Sequence, residues 1–295
     1  MAEYENRYWW SNDGVRLHYR DYPARNALAE GRPPILCLPG LTRNARDYAD
    51  LAARLSAGWR VLAIELRGRG DSGYAKDPMS YVPLTYVQDI DALLRELAIE
   101  RFVAFGTSLG GILTMLLASA APERIAAALI NDVGPAIEPA GLGRIRGYVG
   151  RANTWPTWMH AARAMQEGNA DIYPGWTMEQ WLAMAKRLYR LNAAGRIVLD
   201  YDMKIAEPFR VPGNEAGPDM WRALAALREV PTLLVRGALS DVLGADTLAR
   251  MQAALDRAET VVVAEVGHAP TLSEPTVTQA IDRLLDRVAK EPRAA

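Results

Sequence analysis

Apolar and polar positions alternate in two distinct rhythms along this chain of 295 residues. In 6–21, Val15, Leu17 and Tyr19 alternate with Arg16, His18 and Arg20, and Asn12-Asp13-Gly14 supplies a turn. This predicts an opening antiparallel pair with His18 on its polar face. The rhythm then changes to short, continuously apolar runs at 34–38, 59–65, 102–106, 127–131, 232–236 and 260–265, separated by helical patterns. Strands that are apolar throughout and alternate with helices imply a mostly parallel sheet covered on both faces. In 84–99, Val87, Ile90, Leu93, Leu94 and Leu97 recur at helical spacing and leave Asp89, Asp91 and Arg95 on the wet side. Residues 109–120 are apolar almost all round, which predicts a central buried helix, and 275–290 reads as a closing amphipathic helix.

Between 136 and 224 the alternation stops. Trp155, Trp158, Met165, Tyr173, Trp176, Trp181, Met184 and Tyr189 crowd this stretch, and Pro156, Pro174, Pro208, Pro212 and Pro218 interrupt it. It reads as several short helices with no strand pattern able to continue the sheet. The expected organisation is therefore a core domain from 1–135 and 225–295, with a helical cap inserted at 136–224.

Composition narrows the class. Hydrophobic residues make up 50% and charged residues 23%, ordinary for a soluble globular protein, and a net charge of −1 with no basic patch argues against nucleic acid or an anionic membrane as partner. No run of eighteen apolar residues predicts a membrane span, and the charged first seven residues do not resemble a signal peptide. The single cysteine, Cys37, lies in an apolar strand and reads as a small buried hydrophobe. A cytoplasmic location is expected.

The candidate chemistry centres on Gly106-Thr107-Ser108-Leu109-Gly110, a G-x-S-x-G pentapeptide between an apolar strand and an apolar helix. That strand-to-helix context exposes a serine hydroxyl on a sharp turn. A serine needs a base, and histidine serves near neutral pH. Of the three histidines, His18 and His160 read as surface or pocket-wall residues, whereas His268 follows the strand at 260–265 in a Gly267-His268-Ala269-Pro270 loop. Loops at strand C-termini of a parallel sheet collect on one edge, so Ser108 and His268 can converge. For the acid that orients the imidazole, Asp241 and Asp132 both lie just past strands. Asp241 is preferred, because the chain order Ser, Asp, His with a late acid follows the motif. The oxyanion donors expected are the backbone amides of Leu109, next to the nucleophile, and Leu41, in the loop after Leu38.

With these residues in place, the chain resembles the α/β-hydrolase-fold serine hydrolases over 13–135 and 230–290. The resemblance rests on Leu38-Pro39-Gly40, Glu65-Leu66-Arg67-Gly68-Arg69-Gly70-Asp71-Ser72, Gly106-Thr107-Ser108-Leu109-Gly110-Gly111, Gly237 with Asp241, and Gly267-His268-Ala269-Pro270. It implies a core sheet of eight strands, a helical cap after the sixth and a Ser–Asp–His triad. Two positions depart from the family's pattern: Pro39 where histidine usually precedes the glycine, and Glu65 where aspartate is usual.

Gly68-Arg69-Gly70-Asp71-Ser72-Gly73 spells G-x-G-x-x-G, but Tyr74-Ala75-Lys76-Asp77-Pro78 follows rather than a helix, so it is not read as a nucleotide site. No His, Cys, Asp or Glu cluster has metal-ligand spacing. Neither a cofactor nor a metal is expected. The expected function is cofactor-free hydrolysis of an ester-type bond, carboxylic ester or lactone, in a small and largely apolar substrate. The alternatives are carbon–carbon cleavage of diketone or keto-acid substrates, with a carboxylate clamp from Arg43, Arg144, Arg146, Arg151 or Arg190, and a ligand receptor with negligible turnover.

Overall fold

The computed structural model of the protein describes residues 3–26, 31–211 and 218–290; Pro212, counted above among the breaks of the cap, lies outside them. The opening hairpin forms as β1 (Glu5–Trp10) and β2 (Arg16–Tyr22), antiparallel, turning at Gly14 with φ +77°. The apolar runs become β3 (Ile35–Leu38), β4 (Val61–Glu65), β5 (Phe102–Thr107) and β6 (Ile125–Asn131). Between them lie α1 (Ala49–Leu55), α2 (Pro83–Glu96) and α3 (Leu109–Ala120).

An insertion follows β6. It contains α4 (Pro139–Tyr148), β7 (Thr154–Trp155), α5 (Trp158–Asn169), α6 (Met178–Leu188), β8 (Tyr189–Leu191) and β9 (Ile197–Leu199). The chain then returns through α7 (Met220–Ala225) to β10 (Thr232–Gly237), α8 (Ala245–Ala254), β11 (Ala258–Val263) and α9 (Pro275–Lys290). The eight-stranded sheet runs β1-β2-β4-β3-β5-β6-β10-β11, antiparallel only where β2 meets β1 and β4. This is the α/β-hydrolase fold.

The apolar strands work because successive side chains serve opposite faces. Leu36, Leu38, Leu62, Ile64, Ala104, Ile130 and Leu234 join α2, α3 and α8 on one side. Their neighbours Ile35, Cys37, Val61, Ala63, Val103, Phe105, Leu129 and Val235 join α1 and α9 on the other. Each fully buried aliphatic side chain contributes about 1.5–3 kcal/mol, so the sheet is a rigid platform for the loops at its edge. Burial also pushes the Cys37 thiol up.

Three expectations change. His18 is fully buried, because the other face of β2 is covered by the Gly68–Gly73 turn: Ser72 Oγ accepts from His18 N at 2.8 Å and Gly73 N donates to Arg16 O. Asp89 is buried too, in a bidentate pair with Arg67 at 2.7 Å. The cap is not purely helical, since β7, β9 and β8 form a small antiparallel sheet turned by Asn192 and Gly195 (φ +72°). Strands of two or three residues are too short to show a period.

The cap buries its own cluster, which includes Met165, Tyr173, Trp181, Met184 and Ile197. Tyr201, Ile205 and Leu224 already belong to the cluster beneath the sheet, so the chain rejoins the core well before β10.

Candidate active site

Ser108 stands between β5 and α3 with φ 53° and ψ −117°, a backbone conformation unfavourable for a side-chain-bearing residue. Close approach of strand and helix imposes it. A Cβ on Gly106 would lie 2.2 Å from Gly110 O, and one on Gly110 would lie 1.9 Å from Leu38 O. Glycine is required at both, which is why the pentapeptide carries them.

His268 arrives from the loop after β11. Its Nε2 lies 2.9 Å from Ser108 Oγ and its Nδ1 lies 2.8 Å from Asp132 Oδ2. A tautomer with Nδ1–H donating to the carboxylate leaves Nε2 to accept the serine hydroxyl. The loop crosses β10 so closely that a Cβ on Gly237 would lie 2.4 Å from Val266 O. The cap holds it from above: Gly267 N donates to Ile172 O at 2.7 Å and Tyr173 Oη donates to Ala269 O at 2.7 Å.

The acid facing the imidazole is Asp132, and the expectation of Asp241 is corrected. β5 and β6 are neighbours with Thr107 opposite Asn131, so the residues that follow them, Ser108 and Asp132, sit side by side at the sheet's edge. Asp132 is fully buried, and Oδ1 accepts from Gly237 N at 2.8 Å while Oδ2 accepts from Ser240 Oγ at 2.7 Å. Asp241 turns instead to the cap, where Arg144 of α4 donates to both its oxygens at 2.6 and 2.8 Å. That hydrogen-bonded cation holds the Asp241 carboxyl below its ordinary range.

Leu41 N–H and Leu109 N–H donate to no protein acceptor among the described residues. A Cβ on Gly40 would lie 3.6 Å from Ser108 Cβ, so the Leu41 loop runs directly beside the nucleophile. Two groups pin that loop. Tyr48 Oη donates to Leu38 O at 2.7 Å, and the fully buried Arg69 donates from Nε to Leu41 O at 2.8 Å. Arg69 is held in turn by Arg67 O and Tyr86 Oη. The G-x-G-x-x-G segment thus supplies a guanidinium that shapes the site. Its glycines serve the turn, with φ +76° at Gly68 and +54° at Gly70.

The ligand atoms of His18, Glu65 and Asp71 lie within 4.8 Å of one another, a grouping that sequence spacing does not reveal. Glu65 already accepts from His18 Nδ1 at 2.9 Å, Asp71 N at 2.6 Å and Ala45 N at 3.1 Å. Its oxygens tie three segments together, which accounts for the cluster structurally. His160 lies on the cap surface against Thr157.

A cavity of about 470 Å³ opens over Ser108 and His268. Trp155, Met165, Tyr173, Trp181 and Met184 give it apolar walls, and Arg43, Arg144, Arg151 and Arg187 also line it. Burial pushes the Tyr173, Tyr189 and Tyr201 hydroxyls up to about 12.

Fold and site together define a hydrolase-type scaffold. Residues 35–280 match the alpha/beta hydrolase family, and the chain belongs to it. It is 36% identical over 248 residues to the 3-hydroxybutyrate-oligomer hydrolase of Cupriavidus necator, covering 82% of this chain and 84% of that protein. It is 26% identical over 265 residues to the 2-(acetamidomethylene)succinate hydrolase of Mesorhizobium japonicum, covering 88% of this chain and 91% of that one. The crystal structure of an alpha/beta hydrolase from Novosphingobium aromaticivorans superposes with a TM-score of 0.91 at 59% identity, over 97% of this chain and 99% of that one. No helix among the described residues is long and apolar enough to cross a membrane.

Proposed function

We propose that the chain hydrolyses a carboxylic ester through a covalent acyl-serine. The observation that carries this reading is the unbroken line from Ser108 Oγ to His268 Nε2 at 2.9 Å and from His268 Nδ1 to Asp132 Oδ2 at 2.8 Å. His268 takes the Ser108 proton as Oγ attacks the ester carbonyl, and buried Asp132 stabilises the imidazolium. The developing oxyanion meets the Leu41 and Leu109 amides, the second at the N-terminus of α3, where negative charge is favoured. The proton passes to the leaving alkoxide. Water, deprotonated by the same imidazole, then releases the acid and restores Ser108. Every step uses side chains and backbone amides of this chain.

The relative in Cupriavidus necator, by its name, hydrolyses 3-hydroxybutyrate oligomers, whose units are joined by esters. Together with the cavity of about 470 Å³, this favours a small aliphatic ester.

The test is intact mass after exposure to a fluorophosphonate, with turnover of p-nitrophenyl butyrate in parallel. One adduct and product release by wild type, with neither in Ser108→Ala or His268→Ala, is the expected result. Absence of both from folded wild type overturns the reading and favours a binding protein. Product ratios that depend on added alcohols would indicate acyl transfer.

A further inference from the structure

Two guanidiniums on the cavity wall each keep one nitrogen unused. Arg43 donates from Nε and Nη2 to Asp47 and from Nη2 to Met184 Sδ at 3.1 Å, and Arg144 donates from Nε and Nη2 to Asp241. In both, Nη1 has no partner among the described residues. The two side chains come from different parts of the chain, the loop beside the nucleophile and cap helix α4, yet both line the one cavity. They also share neighbours. Both cations act electrostatically on the Tyr148 hydroxyl, and the Tyr173 hydroxyl acts on both.

Three of the four cations on the wall are paired. Asp47 and Asp241 offset Arg43 and Arg144, and Asp50 offsets Arg187. Arg151 also lines the cavity, and its side chain has no partner among the described residues.

We propose that Arg43 and Arg144, through their unused Nη1 groups, form a carboxylate subsite in this cavity, so that the preferred substrates are esters bearing a free carboxylate. This rests on the ester-hydrolase reading and names its substrate class. It revises the expectation of a largely apolar substrate. Guanidinium nitrogens suit carboxylate oxygens through charge-assisted hydrogen bonds. The stem of Arg43 starts beside the nucleophile: a Cβ on Gly40 would lie 3.2 Å from Arg43 Cγ and 3.6 Å from Ser108 Cβ. Of the five arginines considered from sequence, Arg43, Arg144 and Arg151 line the cavity, and Arg146 and Arg190 do not.

The experiment compares kcat/KM for mono-p-nitrophenyl glutarate with that for p-nitrophenyl butyrate, nearly equal in length but different in charge. In parallel, calorimetry measures binding of both to Ser108→Ala, which reads the subsite without turnover. The expected result is a preference for the glutarate ester of roughly tenfold or more, weakened by salt. In Arg144→Gln the ratio of the two kcat/KM values falls by about tenfold; Arg144→Lys keeps part of it, and Arg43→Lys lowers it independently. Using the ratio removes any general loss of activity common to both substrates. Equal handling of the two esters by wild type overturns the subsite, as does a preference unchanged in Arg144→Gln and Arg43→Lys. Failure to turn over either ester, with selective binding retained by Ser108→Ala, would refute the hydrolase reading and leave the subsite standing. Equal or undetectable binding of both ligands would refute the subsite as well.

Discussion

Ser240 Oγ donates to Asp132 Oδ2 at 2.7 Å, on the carboxylate oxygen that also faces His268 Nδ1 at 2.8 Å. The hydroxyl is itself oriented. It accepts from the amides of Val242 at 3.2 Å and Leu243 at 3.1 Å, which directs its proton toward Asp132. In the proposed mechanism Ser240 is a positioning residue, acting on the serine through Asp132 and His268. Ser240→Ala is expected to lower kcat by about tenfold, the scale of one hydrogen bond to a charged group, with KM little changed. Ser240→Thr, which restores a hydroxyl, should recover much of the loss. Steady-state kinetics on p-nitrophenyl butyrate checks this; a loss confined to KM would remove Ser240 from this role.

Asp132 and Asp241 make opposite predictions. Asp132→Asn keeps the shape of the site but loses the charge that stabilises the imidazolium, so kcat should fall by about 10³–10⁴. Asp241→Asn loosens Arg144, which lines the cavity, and should act mainly on KM, with kcat reduced at most about tenfold. The reverse pattern would return Asp241 to the triad. Circular dichroism on both variants separates catalytic loss from unfolding.

The contrast also shows what the sequence could and could not disclose. Ser108 was legible because strand, glycines and helix lie within a few neighbouring residues, and His268 because a lone histidine follows a late strand. The choice of acid depends on which strand lies beside β5, and apolar runs do not encode strand order. Asp132 was visible as a rival, but its adjacency to Ser108 emerges only from the β5–β6 register. His18 and Asp89 were misplaced for a related reason. Periodicity assigns a polar face to solvent, whereas here the Gly68–Gly73 turn covers His18, and Arg67 makes burial of Asp89 tolerable. Arg69 gave no signal of its role, since its partner is a backbone carbonyl 28 residues away.

Glu65 should make stability depend on pH. Burial alone would raise its carboxyl, but His18 and the amides of Asp71 and Ala45 outweigh that and hold it below its ordinary value of 4.5. A carboxylate depressed in the folded state contributes stability that is present above the unfolded value and lost as pH falls through the folded one. Glu65→Gln loses the charge and points a donor amide at groups that already donate, so it should cost about 3 kcal/mol at neutral pH. The gap from wild type should narrow as pH falls below about 4.5. Urea unfolding at pH 7, 5 and 4 checks this, and a gap constant across that range would exclude Glu65 ionisation as the source.

Helix α4 carries Arg144 and three glycines whose surroundings differ sharply. A Cβ on Gly141 would lie 2.3 Å from Asp241 O, whereas Gly143 and Gly147 have nothing among the described residues within 4 Å of that position. Gly141 also donates its amide to Asp241 O at 2.9 Å, so helix and core loop meet backbone to backbone there. Gly141→Ala must push α4 off that loop, and overpacking of this kind costs about 1–3 kcal/mol. Because Arg144 rides on the same helix, the variant should also raise KM for carboxylate-bearing esters. Gly143→Ala and Gly147→Ala meet no obstacle, and each should stabilise the helix by about 0.5–1 kcal/mol by removing freedom from the unfolded chain. Thermal unfolding of the three variants is the measurement. Opposite signs for Gly141 and the other two would show that α4 is anchored to the core through its first turn and otherwise free to be stiffened; a destabilised Gly143→Ala would place an unseen contact on its outer face.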